Sequence, residues 1–123
     1  MALGTREIRS HKDLVVWQKS IDMVSEIYRL TKSYPEDQKF GLVSQMQRAS
    51  VSIPANIAEG YGRHATKEYS YFLRIALGSL AELDALITIS RKLSYLPVEE
   101  CSKLEAQLGT IGKMFYALHK RIH

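Results

Sequence analysis

The stretch "RASVSIPANIAEGYGR", Arg48 to Arg63, decides how this chain folds. It places Pro54 inside a helical apolar repeat and then runs into Glu59-Gly60-Tyr61-Gly62-Arg63. A loop at the proline would reset the phase of the repeat, yet Ser50, Ile53 and Ile57 stay in step across it. Proline removes one backbone donor and crowds the carbonyl of Ser50, which bends a helix. The spacing therefore predicts one helix, kinked near Ile53 and closed by Gly60 as a left-handed cap. A break in which Ser52 caps a fresh short helix is the competing reading. Asn56, Glu59 and Ser50 are polar residues near the bend that can satisfy freed backbone groups.

Outward from this stretch, three further apolar repeats flank the first. Asp13 is a plausible N-cap for a helix over 13–33 carrying Leu14, Trp17, Ile21, Val24, Tyr28 and Thr31. Pro35, followed by Glu36 and Asp37, suits the first turn of the proline-bearing helix, whose stripe is Val43, Met46, Ser50, Ile53 and Ile57. A third helix opens at Thr66 and carries Tyr69, Leu73, Ala76, Leu80, Leu83 and Ile87. Pro97 marks the fourth, with Cys101, Leu104, Leu108, Ile111, Phe115 and Leu118. Helices of about 20 residues with short connections predict an all-α antiparallel up-down-up-down four-helix bundle over 13–123. Residues 1–12 lack periodicity and read as a flexible arm.

The totals agree with one soluble domain. A chain of 123 residues supports a single core, and 46% hydrophobic with 24% charged residues argues against disorder. The lone Cys101 cannot form an internal disulfide and sits in a core stripe, so a packed thiol in a reducing compartment is expected. No leader-like segment opens the chain, and no apolar run nears the ~20 residues that span a bilayer, so the expectation is cytoplasmic with no membrane contact.

The first three helices carry a second apolar row. Val16, Met23, Ile27, Leu30 and Tyr34 lie roughly 110° around the first helix from its first stripe. Phe72, Ile75, Leu86, Ile89 and Leu93 do the same on the third, and Val51, Ala55 and Ala58 on the second. Such rows left wet form a patch that soluble monomers avoid, so they predict a homo-oligomer. One thick core served by wide helix faces is the alternative. Glu82 interrupts the row on the third helix, and Arg48 is its candidate partner, within or between subunits.

The net charge of +4 is concentrated. Residues 1–13 hold three Lys and Arg against two acids, 59–68 two against two, and 113–123 three against none, which accounts for the whole excess. An up-down-up-down bundle gathers these segments at one end, and cyclic assembly would make a ring of them. Such a ring attracts phosphate backbones, with Arg63, Lys67, Lys113, Lys120 and Arg121 as contacts and Arg6, Arg9 and Lys12 assisting. Tyr61 is placed to stack on a base, and the Gly60 and Gly62 amides with Arg63 to hold a phosphate. A tight inter-helix turn that needs glycine explains the same residues without a ligand.

Catalytic patterns are missing from the sequence. It has no Glu-x-x-His pair for a di-metal bundle, no phosphate-binding loop, no dinucleotide fingerprint and no nucleophile elbow. His119 and His123 are spaced four apart, but at a terminus prone to fray. The reading is non-enzymatic, with no metal and no cofactor.

"DLVVWQKS" (13–20), "FGLVSQMQRASVSIPANIAEGYGR" (40–63) and "FLRIALGSLAELD" (72–84) resemble the four-helix-bundle proteins encoded in intervening sequences of bacterial large-subunit ribosomal RNA genes. The resemblance runs from about Leu14 to Leu96; the last helix matches only in length and periodicity, and the arm does not match. It implies a cyclic homopentamer of bundles. It also implies kinship with accessory proteins of diversity-generating retroelements, basic pentamers that bind nucleic acid and a reverse transcriptase. Where that family usually reads alanine-arginine-glycine-serine, this chain has Ala76-Leu77-Gly78-Ser79, so a contact through that arginine does not carry over. The expected function is an oligomeric accessory protein binding RNA or other nucleic acid. The alternative is a scaffold for a polypeptide partner such as a reverse transcriptase, without direct nucleic-acid binding.

Overall fold

The computed structural model describes residues 8–122; Arg6, His123 and most of the expected arm lie outside the described residues. Four α-helices follow one another: α1 (Val15–Thr31), α2 (Leu42–Tyr61), α3 (Thr66–Lys92) and α4 (Val98–Ile122). Short 3-10 turns, His11–Asp13 and Glu36–Gln38, precede α1 and α2. Among the described residues there is no strand.

The helix ends are built differently from the expected caps. Asp13 acts one turn earlier than α1, its carboxylate accepting from the Arg9 amide at 2.9 Å and the Ser10 amide at 3.3 Å. It is the third-residue partner in a capping box whose N-cap is Ser10, and Leu14, with no side-chain cap, precedes α1. Ala65 rather than Thr66 holds the N-cap position of α3. The second helix continues unbroken through Pro54 to Tyr61, which removes the reading of a fresh helix capped by Ser52. Pro54 is itself buried, beside Ile53 on the inner side of the helix. Asn56 donates its amide to the Ser52 carbonyl at 2.8 Å, and Ser50 donates to the Gln47 carbonyl at 2.9 Å.

Gly60 is not the left-handed cap that was expected. It lies inside α2, and the left-handed residues of the described chain are His64 (φ 65°) and Ser94 (φ 62°). Packing is what requires glycine here. A Cβ on Gly60 would lie 2.9 Å from the Phe72 Cβ and 3.3 Å from the Tyr69 carbonyl oxygen. The α2 backbone thus rests directly on α3.

Cross-helix contacts give each pair its direction. Gly60 faces Phe72, Ser79 donates to Ser52 at 2.8 Å, and Ser90 donates to the Met46 sulfur at 3.5 Å, so α2 descends as α3 rises. Gln47 reaches Thr31 of α1 at 3.5 Å. Ser70 and His119 meet at 3.0 Å, placing the start of α3 beside the end of α4. Arg29 lies 3.6 Å from Glu100, and Val16 shares a hollow with Met114 and Leu118, so α1 and α4 also run oppositely. Each helix packs against two neighbours.

The core is the interior of this square. Met23, Ile27, Met46, Ile53, Ile57, Leu83, Ile87, Leu104 and Ile111 are essentially solvent-free. Buried hydroxyls satisfy themselves locally: Ser20 donates to the Val16 carbonyl at 2.7 Å, Thr31 to Ile27 at 2.7 Å and Ser90 to Leu86 at 2.9 Å. Cys101 is buried in the core, and burial pushes its thiol up, which keeps it protonated and unreactive.

One assignment of faces is reversed. Val16, Met23, Ile27 and Leu30, expected at an oligomer interface, form the inner face of α1, and Leu86 is likewise buried in α3. These five have no surface left for another copy. The outward row of α1 is Ile21, Val24 and Tyr28, with Ile21 and Tyr28 about two-fifths exposed. The reason is steric. Ser20 occupies the tight inner position opposite the bundle axis, whereas Trp17 and Tyr28 need the room at its edges. Val51, Ala55 and Ile89 are exposed and Ala58 and Phe72 half-buried, all outside the central core.

Candidate nucleic-acid interface

The antiparallel arrangement brings the 3-10 turn at 11–13, the α2–α3 connection and the end of α4 to one end of the bundle. The α2–α3 connection is braced by aromatics. Tyr61 meets Tyr69 edge-on at 6.1 Å, and burial pushes the Tyr69 phenol up to about 12, with Tyr61 adding a smaller push. Tyr61 is therefore half-buried and engaged with Tyr69 rather than presented openly. Arg63 pairs with Glu59 one turn back, and its guanidinium lies 5.2 Å from the Phe72 ring centroid. This cation–π seat fixes Arg63 beside the point where Gly60 lets the helices touch.

Two of the local acids are already occupied. Glu59 is held by Arg63, and Asp13 accepts from the Arg9 and Ser10 amides. Lys12, Lys67, Lys120 and Arg121 are exposed at the same end, with Glu68 the nearby exposed acid. The positive field of the sequence is thus a feature of one end in space. Lys113 departs from this group: it sits seven residues before Lys120, about 10 Å along α4, on its outward side.

The remaining polar expectations divide. Asn56 is a helix-bracing residue, bonded to both the Ser52 carbonyl and hydroxyl. Arg48 and Glu82 are both exposed, and no ion pair joins them among the described residues, so the intramolecular form of that pairing is not made. His119 is engaged with Ser70, and no group of three His, Cys, Asp or Glu side chains able to hold a metal occurs among the described residues.

Sequence reasoning missed the side of the bundle between α3 and α4. Arg74, Leu77, Tyr116 and His119 line a hollow of about 310 Å³ there, floored by Leu73, Gly112 and Phe115. Tyr116 is 74% exposed and Leu77 48% exposed. The available signal was the row Gly112, Tyr116, His119 at spacings of four and three on one helix face.

Among the described residues, no helix is long and apolar enough to cross a membrane. A crystal structure of a protein of unknown function from the S23 ribosomal protein family of Bacteroides thetaiotaomicron is similar to this fold. It has a TM-score of 0.81 and 27% sequence identity over 89% of this chain and 98% of that one. No curated protein matches. The model of the 23S rRNA-intervening sequence protein family matches residues 12–117, nearly the entire bundle, and the chain belongs to that family.

Proposed function

We propose that the protein is a non-enzymatic homo-oligomer of helical bundles, a pentamer, that binds RNA or other nucleic acid through a basic ring as an accessory factor. The observation that carries this reading is the convergence of Lys12, Lys67, Lys120 and Arg121 at one end, where Glu59 and Asp13 are already bound by their own neighbours. Assembly through the exposed apolar residues of α1, α2 and α3 multiplies that patch around an axis. Lysine and arginine held on rigid helix ends displace counterions from phosphates, which gives tight, salt-sensitive binding with little sequence preference. The occupied Tyr61 makes base stacking a minor part, so phosphate contact dominates.

The test is binding of single-stranded RNA and duplex DNA across a salt series, for the wild type and for Lys120→Glu with Arg121→Glu. Binding should weaken steeply with salt, and the variant should bind more weakly with a slope shallower by about 0.7 per lost RNA contact. An unchanged affinity and slope rejects these two residues as contacts. No saturable binding even at low salt transfers the role to a scaffold for a polypeptide partner.

A further inference from the structure

The α3–α4 side carries a groove that nucleic-acid binding does not use. The hollow beneath Leu77 and Tyr116 continues into a second of about 390 Å³, lined by Leu77, Leu80, Asp84, Glu105, Leu108 and Gly109. Leu77 is common to both, so the two form one trough along the helix pair. Its floor is low at Gly109, where a Cβ would meet nothing within 4 Å. Its walls are apolar, and Tyr116 and Leu77 stand over it largely in solvent.

The trough also carries opposite charges at its two ends. Arg74 lies near one end, and Asp84 and Glu105 at the other. All three are exposed, and their side chains make no ion pair among the described residues. Arg74 and Asp84 are ten residues apart on α3, about 15 Å. That is the length of roughly three helical turns, and a backbone-level floor lets another helix approach at the close end of the usual 8–10 Å range. It is also separate from the outward rows Ile21–Tyr28 and Val51–Ala58 that serve self-association.

We infer that the α3–α4 trough is a docking site for an amphipathic helix of a partner protein, about three turns long, acidic at the end that meets Arg74 and basic at the end that meets Asp84 and Glu105. Apolar side chains at i, i+3 or i+4, and i+7 of that helix pack against Leu77, Tyr116 and the glycine floor. The charges at the two ends set its direction, and the apolar strip supplies the affinity. This inference goes beyond the nucleic-acid reading and does not depend on it.

The probe is a synthetic amphipathic peptide of about four turns, with Leu on one face, Glu in its first turn and Lys in its last. A second peptide carries Lys at both ends. Calorimetry with the full chain should show saturable binding of the first peptide and at least about fivefold weaker binding of the second. Arg74→Glu should reverse that order. Gly109→Leu fills the floor at an open helical position and should abolish binding of both while the helical circular dichroism is kept; Leu77→Glu gives a second, independent block. Lack of saturable binding up to about 1 mM, equal affinity for both peptides, or binding undiminished by Gly109→Leu overturns the proposal. So does a fall in oligomer mass in Gly109→Leu with peptide binding intact, which makes the trough a contact between copies.

Discussion

Replacing Gly60 by alanine tests the close approach of α2 and α3, because the same chemical change has opposite consequences at two glycines of this bundle. Both Gly60 and Gly109 lie inside helices, so alanine gains about 1 kcal/mol of helix propensity at either. At Gly109 nothing lies within 4 Å of the new Cβ, and the gain stands alone. At Gly60 the methyl would sit 2.9 Å from the Phe72 Cβ and 3.3 Å from the Tyr69 carbonyl oxygen. Neither atom is the free end of a flexible side chain, so the helices must separate, at about 1–3 kcal/mol for an overpacked site. The propensity gain is common to the two variants and cancels in their comparison. Gly60→Ala is therefore expected to be about 1–3 kcal/mol less stable than Gly109→Ala. At this chain length that is roughly 3–5 °C in Tm per kcal/mol. Urea and thermal unfolding at matched protein concentration measure it. A Gly60→Ala protein as stable as Gly109→Ala would refute the claim that the α2 backbone rests on α3. Displacing Phe72 also unseats Arg63, so the same variant should weaken nucleic-acid binding at low salt.

Other expectations follow from burial. Tyr34 is 7% exposed and its hydroxyl makes no well-formed hydrogen bond, Ser90 offering only a marginal one, so Tyr34→Phe should hold or raise stability by up to about 1 kcal/mol in urea unfolding; a loss above that size means the Ser90 bond is fully made. Burial pushes the Tyr34 phenol up to about 12, against an opposing hydrogen-bond influence of Ser90, and burial likewise raises Tyr69 to about 12. The unfolded chain releases these protons near pH 10 while the folded chain keeps them, so this stability is complete below pH 10 and is lost as pH rises toward 12. Tyr34→Phe should flatten the alkaline fall, read as midpoint urea concentration against pH. Ile27→Ala, at a solvent-free site, should cost about 2–5 kcal/mol, whereas Ile21→Ala should leave unfolding of the subunit nearly unchanged. The reverse order would restore the sequence-based assignment of α1's faces.

Legibility varied along the chain for physical reasons. On α4 one apolar row stands among polar neighbours, and Cys101, Leu104, Leu108, Ile111 and Phe115 are all buried as the spacing predicts. On α3, Leu73, Ala76, Leu80, Leu83 and Ile87 follow in the same way. The first helix has two apolar rows, and periodicity alone cannot say which turns inward; the small Ser20 and the bulky Trp17 and Tyr28 held that information. Gly60 was misread because its role depends on Phe72 and Tyr69 across a helix boundary, which a local cap rule does not see. The end that gathers Lys67, Lys120 and Arg121 was readable, since connection lengths dictate topology and topology dictates which segments meet. The α3–α4 trough was not, because it arises only when Leu77 from one segment and Gly109 and Tyr116 from a distant one line the same hollow.

The account rests on α1, α2 and α3 each burying one apolar side in the subunit and offering another to a sister copy. Sedimentation at micromolar to millimolar subunit concentration measures this directly for a 14.0 kDa chain. The wild type should sediment as a defined species several times that mass, and Val51→Asp with Ile89→Asp should fall to single subunits that keep their helical circular dichroism. A wild type that stays at the subunit mass throughout contradicts the assembled basic ring and the function built on it.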